Sequence, residues 1–120
     1  MRLLVCGSRS YSDYRTVDEI LDGIHKAQYV SLLIEGGALG ADRFARMWAY
    51  AHAIEVKTFE AYWDTQGRSA GIRRNERMLN EGKPDLVVAF VDKPLHQSKG
   101  TANMVMLARR SLVPVSVIEP

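Results

Sequence analysis

Short apolar runs alternate with helical patterns along the whole chain, and this order of elements leaves few folds open. The runs have the length of strands, and the first two stop at Gly7 and at Gly36-Gly37. The predicted strands cover residues 3–6, 31–34, 54–59, 85–91 and 114–118. Strands separated by helices require right-handed crossovers, so the sequence predicts an α/β fold with a parallel sheet covered on both faces.

Helices are predicted between these strands. In the first helix, Thr16 and Glu19 have the spacing of a capping box, and apolar side chains follow at helical intervals. The other predicted helices cover residues 41–53, 72–80 and 101–110. Gly82 lies where a residue just past a helix end is expected. The remaining long connections, residues 61–71 and 92–99, are predicted to be irregular.

The length predicts one globular domain over residues 1–120, because it is too short for two independent cores. We expect this domain to be cytoplasmic. Sixteen basic residues nearly balance fourteen acidic ones, and the net charge of +2 argues against binding to duplex DNA. The chain has no apolar stretch of membrane-spanning length and begins without a signal-peptide pattern. Cys6 is the single cysteine and the three histidines are scattered, so no metal site is predicted.

Ligands of such sheets bind outside the carboxyl ends of the strands, so the residues after each strand are the candidate site. Gly7-Ser8-Arg9 after the first strand offers close backbone approach, a hydroxyl group and a forked donor for phosphate. Gly36, Gly37 and Gly40 precede a helix, and backbone N–H groups at such a helix start predict an anion site. These glycines fit neither the Walker A motif nor the dinucleotide-binding fingerprint.

Polar side chains at this helix start and at the start of the last helix have two interpretations each. Asp42 is placed either to accept hydrogen bonds from ribose hydroxyls or to cap the first turn of its helix. Gly100-Thr101 is placed either to hold a second phosphate or to act as an ordinary helix cap.

The connection before the third long helix combines an aromatic residue with an arginine cluster. Arg73 and Asn75 are predicted to point into the cleft, whereas Arg74 and Arg77 are predicted to lie on a solvated face. Trp63 either stacks on a base or packs the connection onto the sheet.

Taken together, these loops resemble the YspA-type, YpsA-related members of the SLOG superfamily. The resemblance rests on Gly-Ser-Arg at residues 7–9, Gly-Gly-Ala-Leu-Gly-Ala-Asp at 36–42, Gly-Arg-Ser-Ala-Gly-Ile-Arg-Arg-Asn-Glu-Arg-Met at 67–78, and Lys-Gly-Thr-Ala at 99–102. It implies a Rossmann-like, doubly wound three-layer sandwich with four main helices and five parallel strands in the order 3-2-1-4-5. It also implies a nucleotide, nucleotide-sugar or ADP-ribose-type ligand and self-association, and small members occur in bacteria and phages.

One branch of this superfamily, the LOG-type phosphoribohydrolases, carries the motif Pro-Gly-Gly-x-Gly-Thr-x-x-Glu with a catalytic glutamate. The corresponding stretch here keeps Gly100-Thr101 but has Met104 at the position of the glutamate. The Arg-Lys pair of that branch has its counterpart in Arg73-Arg74. The resemblance therefore implies a phosphate-binding loop without the family carboxylate, for which Glu76 or Asp42 are the candidate substitutes.

Three functions are consistent with these residues. The first is a non-catalytic binder of a nucleotide-derived small molecule, acting as a sensor or sequestering protein and needing no cofactor. The second is a phosphoribohydrolase or related N-glycosidase that stabilises a ribosyl cation with a carboxylate. The third, which the small net charge makes less favourable, is a module of the DprA type for single-stranded nucleic acid. The predicted ligand-binding residues are Gly7, Ser8, Arg9, Gly36, Gly37, Gly40, Asp42, Trp63, Arg73, Asn75, Gly100 and Thr101.

Overall fold

A five-stranded parallel sheet in the order β3-β2-β1-β4-β5 forms the centre of the molecule, in a computed structural model that describes residues Met1–Pro120. The strands are β1 (Arg2–Gly7), β2 (Leu32–Glu35), β3 (Glu55–Thr58), β4 (Leu86–Phe90) and β5 (Val115–Ile118). The predicted α/β class and strand order are confirmed.

Five α-helices connect these strands, and four of them correspond to the predicted ones. They are α1 (Tyr14–Ala27), α2 (Ala41–Ala51), α3 (Trp63–Gln66), α4 (Ala70–Gly82) and α5 (Lys99–Arg110). The short α3 and a 3-10 turn at Gly67–Ser69 lie in the connection that was predicted to be irregular. A second 3-10 turn, Leu95–Gln97, precedes α5. No helix combines the length and the apolar character needed to cross a membrane.

Apolar side chains on both faces of the central strands explain why helices cover the sheet on both faces. Leu3, Val5, Leu33, Val88 and Phe90 point to one face and pack with apolar residues of α1 and α2. Leu4, Ile34, Val87 and Ala89 point to the other face and pack with Met78 of α4 and Met104 of α5. The alternation follows the two-residue period of a strand, so uninterrupted apolar runs give strands buried on both sides.

The boundaries of all four predicted helices differ from their predictions: α2 ends two residues earlier, α5 begins two residues earlier, α4 is two residues longer at each end, and α1 has a different start. The capping box at Thr16 and Glu19 is wrong, because α1 begins earlier and has Asp13 as its N-cap. The Asp13 carboxylate accepts hydrogen bonds from Thr16 N (3.1 Å) and Thr16 Oγ1 (2.6 Å), which lowers the pKa of Asp13. Gly82 is the last residue of α4 rather than the residue after it, and Lys83 takes the left-handed conformation (φ 48°).

The chain runs outward from β1 to β3 on one side of the sheet and from β4 to β5 on the other. The order therefore reverses between β1 and β4, and a crevice is expected beyond their carboxyl ends. Direct contacts join the turns there: Ser8 N donates to Phe90 O (2.9 Å), and Ala41 N donates to Ser8 O (3.3 Å).

Candidate functional site

A cavity of about 680 Å³ opens at this crevice, a size typical of small-molecule sites. Its walls come from four connections that are distant in sequence: the β1–α1 turn, the start of α2, the α3–α4 segment and the start of α5. The expected convergence of turns at one edge of the sheet is therefore present. A smaller cavity of about 350 Å³ adjoins it and shares Arg9, Ala38, Trp63 and Arg74 with it. We refer to them as the main and the minor cavity.

The β1–α1 turn forms the floor of the main cavity. A Cβ atom on Gly7 would lie 2.1 Å from Phe90 O and 2.6 Å from Ala41 Cβ, so only glycine fits there. The buried Ser8 hydroxyl accepts a hydrogen bond from Asp92 N (3.3 Å) and lies 3.4 Å from Ser98 Oγ. These contacts hold the ends of β1 and β4 and the start of α5 in a fixed arrangement.

The glycine turn after β2 differs from its prediction as an open anion site. Gly36 N (3.1 Å) and Ala38 N (3.2 Å) both donate to Asp42 Oδ2, and Gly37 N donates to Glu35 Oε1 (2.8 Å). Three successive amides are thus bonded to the protein's own carboxylates and are not free for an external anion. Sequence analysis counted the amides but not the two carboxylates that flank them.

Gly36 and Gly37 line only the minor cavity, and Gly40 lines neither cavity. Gly40 has a φ of +71°, and a Cβ atom there would come within 2.3 Å of Ser8 O. This glycine therefore serves the contact between the β1–α1 and β2–α2 turns and not a ligand.

Asp42 is buried beneath the glycine turn and also lines the main cavity. Burial, with a smaller contribution from the neighbouring Glu35, raises its pKa to about 6, and the two amide hydrogen bonds only partly oppose this. Neither of the two interpretations that the sequence left open describes this contact: Oδ2 holds the glycine turn, while the N-cap of α2 is Gly40 and the helix start has no side-chain cap.

Glu35 supports the glycine turn of the site without lining either cavity, and sequence analysis missed it. Its side chain is fully buried and accepts hydrogen bonds from Arg46 Nη1 (3.0 Å), from Gly37 N and from Thr58 Oγ1. The signal that marks it is a carboxylate at the end of an apolar strand and directly before a glycine pair. Such a residue is buried with the strand and requires partners in the adjoining turn.

Arg74, and not Arg73, faces the site, so this part of the prediction is wrong. Arg74 Nη1 donates to Gly36 O (2.6 Å) and Nε donates to Asn75 Oδ1 (3.0 Å), and the side chain lines both cavities. Arg73 is exposed and donates to Ser69 Oγ (3.1 Å), outside both cavities.

The lining residues of α4 are Gly71, Ile72, Arg74, Asn75 and Met78. Positions 71, 74, 75 and 78 have the i, i+3, i+4, i+7 spacing of one helix face, which places position 73 elsewhere. The helical period, applied to a helix beginning at Ala70, would have identified Arg74 from the sequence.

Asn75 joins the two helices that cover this side of the sheet. It is buried, and its Nδ2 donates to Gly100 O (3.1 Å) and to Asn103 Oδ1 (3.0 Å) on α5. Its side chain lines the cavity as predicted, and its bonds fix the start of α5 relative to α4.

The first turn of α5 is the helix start that remains open toward the main cavity. Lys99, Gly100 and Thr101 line the cavity, and the N-cap Ser98 makes no side-chain hydrogen bond to the helix. The first amides of an α-helix have no intrahelical acceptors, so this turn presents N–H groups and the positive end of the helix dipole. A Cβ atom on Gly100 would meet no atom within 4 Å, which leaves room for a ligand.

The charge of the main cavity is strongly positive although the chain as a whole is nearly neutral. Asp42 is its single carboxylate, whereas five cationic side chains line it. These are Arg9, Arg68, Arg74, Lys93 and Lys99. Arg68, Lys93 and Lys99 were not among the predicted site residues, because isolated basic residues in polar loops carry no sequence signal of their own.

Trp63 stands where the two cavities meet. Its side chain is half exposed, lines both cavities, and lies with its ring centre 5.7 Å from the guanidinium carbon of Arg9. The ring therefore does not serve the apolar core, and half of its surface is exposed where the two cavities meet.

The candidate catalytic carboxylates are not brought together. Glu76 is exposed and lies outside both cavities, and Met104 is fully buried in the apolar layer beneath α5.

Cys6 is buried at the floor of the main cavity, and burial strongly raises the pKa of its thiol, so the reactive thiolate is disfavoured. No group of three or more His, Cys, Asp or Glu side chains is arranged to hold a metal ion.

Comparison with known proteins agrees with the geometry. Residues 1–65 match the family YAcAr, described as the YspA, cpYpsA-related SLOG family. Gene 61 protein of Mycobacterium phage D29 is 35% identical over 120 residues, which covers 95% of this chain and 93% of that protein. No solved structure matches the chain. The match over more than half of the chain confirms the resemblance drawn from the loops: this protein belongs to the YspA, cpYpsA-related SLOG family.

Proposed function

We propose that the protein binds a nucleotide-derived small molecule in the main cavity and acts as a sensor or sequestering protein. One observation carries the proposal: five cationic side chains and the open first turn of α5 converge on one cavity of ligand size. Membership of a SLOG family supports a nucleotide-related ligand in general terms.

The phosphate is assigned to the start of α5. Helix N-termini bind phosphate through backbone N–H groups and the helix dipole, and Lys99 and the Thr101 hydroxyl group stand in the same turn. The equivalent groups of the β2–α2 turn are bonded to Asp42 and Glu35, which leaves α5 as the better phosphate site.

The positions of the two candidate carboxylates, Glu76 and Asp42, favour binding without cleavage. An N-glycosidase needs a carboxylate near the anomeric carbon, but Glu76 is outside the cavity and Asp42 Oδ2 holds the glycine turn. We therefore expect the ligand to leave the protein unchanged.

Isothermal titration with nucleoside mono-, di- and triphosphates, ADP-ribose and its cyclic derivatives tests the proposal. Lys99→Ala should weaken binding about 10- to 100-fold, since a hydrogen bond to a charged group contributes about 1.5–3 kcal/mol. Lys26→Ala removes the same charge from an exposed position on α1 and should have no effect. Absence of saturable heat with every compound would contradict the proposal.

The same mixtures, analysed by chromatography for free base, separate the two activities. Unchanged nucleotide supports a binder, whereas free base formed in proportion to protein concentration would establish the N-glycosidase instead.

Self-association and a cytoplasmic location are part of the same proposal. Met47 and Tyr50 are largely exposed on the outer face of α2, which offers apolar surface to a second copy. Sedimentation of a 13.5 kDa monomer at all concentrations would contradict self-association.

A further inference from the structure

The minor cavity has a different chemistry from the main one. Three of the five cations, Arg68, Lys93 and Lys99, belong to the main cavity alone. The only charged residue that belongs to the minor cavity alone is Glu60. Arg9 and Arg74 border both chambers, so the main cavity has the larger excess of positive charge and is suited to the anionic part of a ligand, and the minor cavity to a less charged part.

Apart from Glu60 and the two shared arginines, Arg9 and Arg74, the minor cavity is lined by apolar side chains and by the glycine turn. Leu39, Ala61 and the half-exposed ring of Trp63 contribute apolar surface. The amides of the glycine turn are bonded to Asp42 and Glu35, so the turn offers no free N–H groups to a phosphate. A flat ring that stacks on Trp63 fits this lining better than an anion does.

Glu60 supplies the polar recognition in this chamber. It follows β3, and its Cγ atom would lie 3.5 Å from a Cβ atom on Gly37, so the side chain packs over the glycine turn. Its backbone oxygen accepts a hydrogen bond from Arg77 Nη2 (2.5 Å), which fixes the position of the residue. Its carboxylate makes no hydrogen bond or ion pair with the protein, and an ionised carboxylate only accepts hydrogen bonds.

We infer that Glu60 is a specificity-determining residue that accepts two adjacent hydrogen-bond donors of a phosphorylated ligand whose ring stacks on Trp63. This inference rests on the proposed function and extends it to the second chamber. Two parts of a nucleotide can present such a donor pair. One is the ring N–H and amino group of a guanine base, and the other is the cis-diol of the ribose. A carboxylate accepts either pair through its two oxygen atoms.

Titration of wild-type protein and Glu60→Gln with GMP, IMP, 2′,3′-dideoxy-GMP and inorganic pyrophosphate tests the inference. Glutamine keeps one acceptor and replaces the other with a donor, so affinity for GMP should fall at least about tenfold. Pyrophosphate affinity should stay equal or rise slightly, because a negative charge near the cavity is removed. A variant that was merely misfolded would lose both ligands.

The remaining compounds distinguish the two sources of donors. Weak binding of IMP, which lacks only the amino group, assigns Glu60 to the guanine edge. Weak binding of the dideoxy compound with normal binding of IMP assigns it to the ribose diol. Quenching of fluorescence by GMP should disappear in Trp63→Leu, since the other tryptophan, Trp48, is buried in the core.

Glu55→Gln, at the opposite end of β3 and exposed, is the matched control and should bind every compound normally. Equal affinity of wild type and Glu60→Gln for GMP would overturn the inference and leave the proposed function intact. If pyrophosphate and all nucleotides failed to bind, the proposed function itself would fall.

Discussion

Replacement of Asp42 by asparagine should make the protein more stable at neutral pH, although it removes the charge of a carboxylate that accepts two hydrogen bonds. Both amide donors of the glycine turn are bonded to the same atom, Oδ2, at 3.1 and 3.2 Å. The carbonyl oxygen of an asparagine can accept both hydrogen bonds without a charge. The substitution therefore preserves the turn and removes only the cost of burying an ionised group.

The size of that cost follows from the pKa. In the folded protein burial raises the pKa of Asp42 from 3.8 to about 6, which corresponds to about 3 kcal/mol in the free energy of unfolding. The folded state binds the proton on Asp42 more tightly than the unfolded state does, so protonation of Asp42 stabilises the fold. This stabilisation is fully present below about pH 3.8 and is lost as the pH rises through about 6. Wild type should thus lose about 3 kcal/mol relative to Asp42→Asn between about pH 4 and about pH 8.

Urea unfolding of both proteins across this range measures the effect. All other titratable groups are the same in both proteins, so the difference between variant and wild type isolates position 42. Asp13 and Asp92, whose pKa values are lowered by hydrogen bonds from Thr16 and Ser10, titrate below the window. A difference between the two proteins that stays constant with pH would refute the reasoning.

Three further substitutions test other parts of the structure by chemical denaturation. Gly40→Ala should cost more than about 3 kcal/mol because its methyl group meets Ser8 O, whereas Gly67→Ala, in a similarly strained backbone conformation (φ +56°, ψ −132°) but in open space, should cost less, about 1–3 kcal/mol. Leu112→Gly should stabilise the protein by about 0.5–1 kcal/mol, because this 91% exposed leucine has a φ of +61°. Asn75→Ala should cost about 1–3 kcal/mol by leaving acceptors on α5 without their donor, and it should also weaken binding of any phosphate held by that helix.

The fold was predictable because its signals are local and repeated. Apolar runs such as Leu3–Cys6 bury on both faces in any parallel sheet, and each is followed by a helix with a clear apolar stripe. The helix ends were less predictable, since competing caps lie close together. Asp13 displaced Thr16 as the N-cap because its carboxylate reaches both donors of that threonine.

The site was predictable as a place but not as a set of contacts. The strand-end rule located the crevice, and Ser8, Arg9 and Asn75 line it. The rule says nothing about which amides the protein uses for itself, so the bonding of the glycine turn to Asp42 and Glu35 was not foreseen. Arg74 was missed because Arg73 and Asn75, two positions apart, were assigned to one cleft, whereas the helical period places position 74 with positions 71, 75 and 78.

The burial of Met104 limits how this scaffold could acquire hydrolytic chemistry. Its side chain is sealed within the layer that α5 forms against the sheet, with no exposed surface. A glutamate introduced there would enter a water-free environment and would remain protonated, or would force the helix to shift. A new catalytic carboxylate would have to come from a neighbouring position that already borders the cavity, such as Asn103. Hydrolytic activity would then depend on a different face of α5 and would not be gained by restoring a glutamate at position 104.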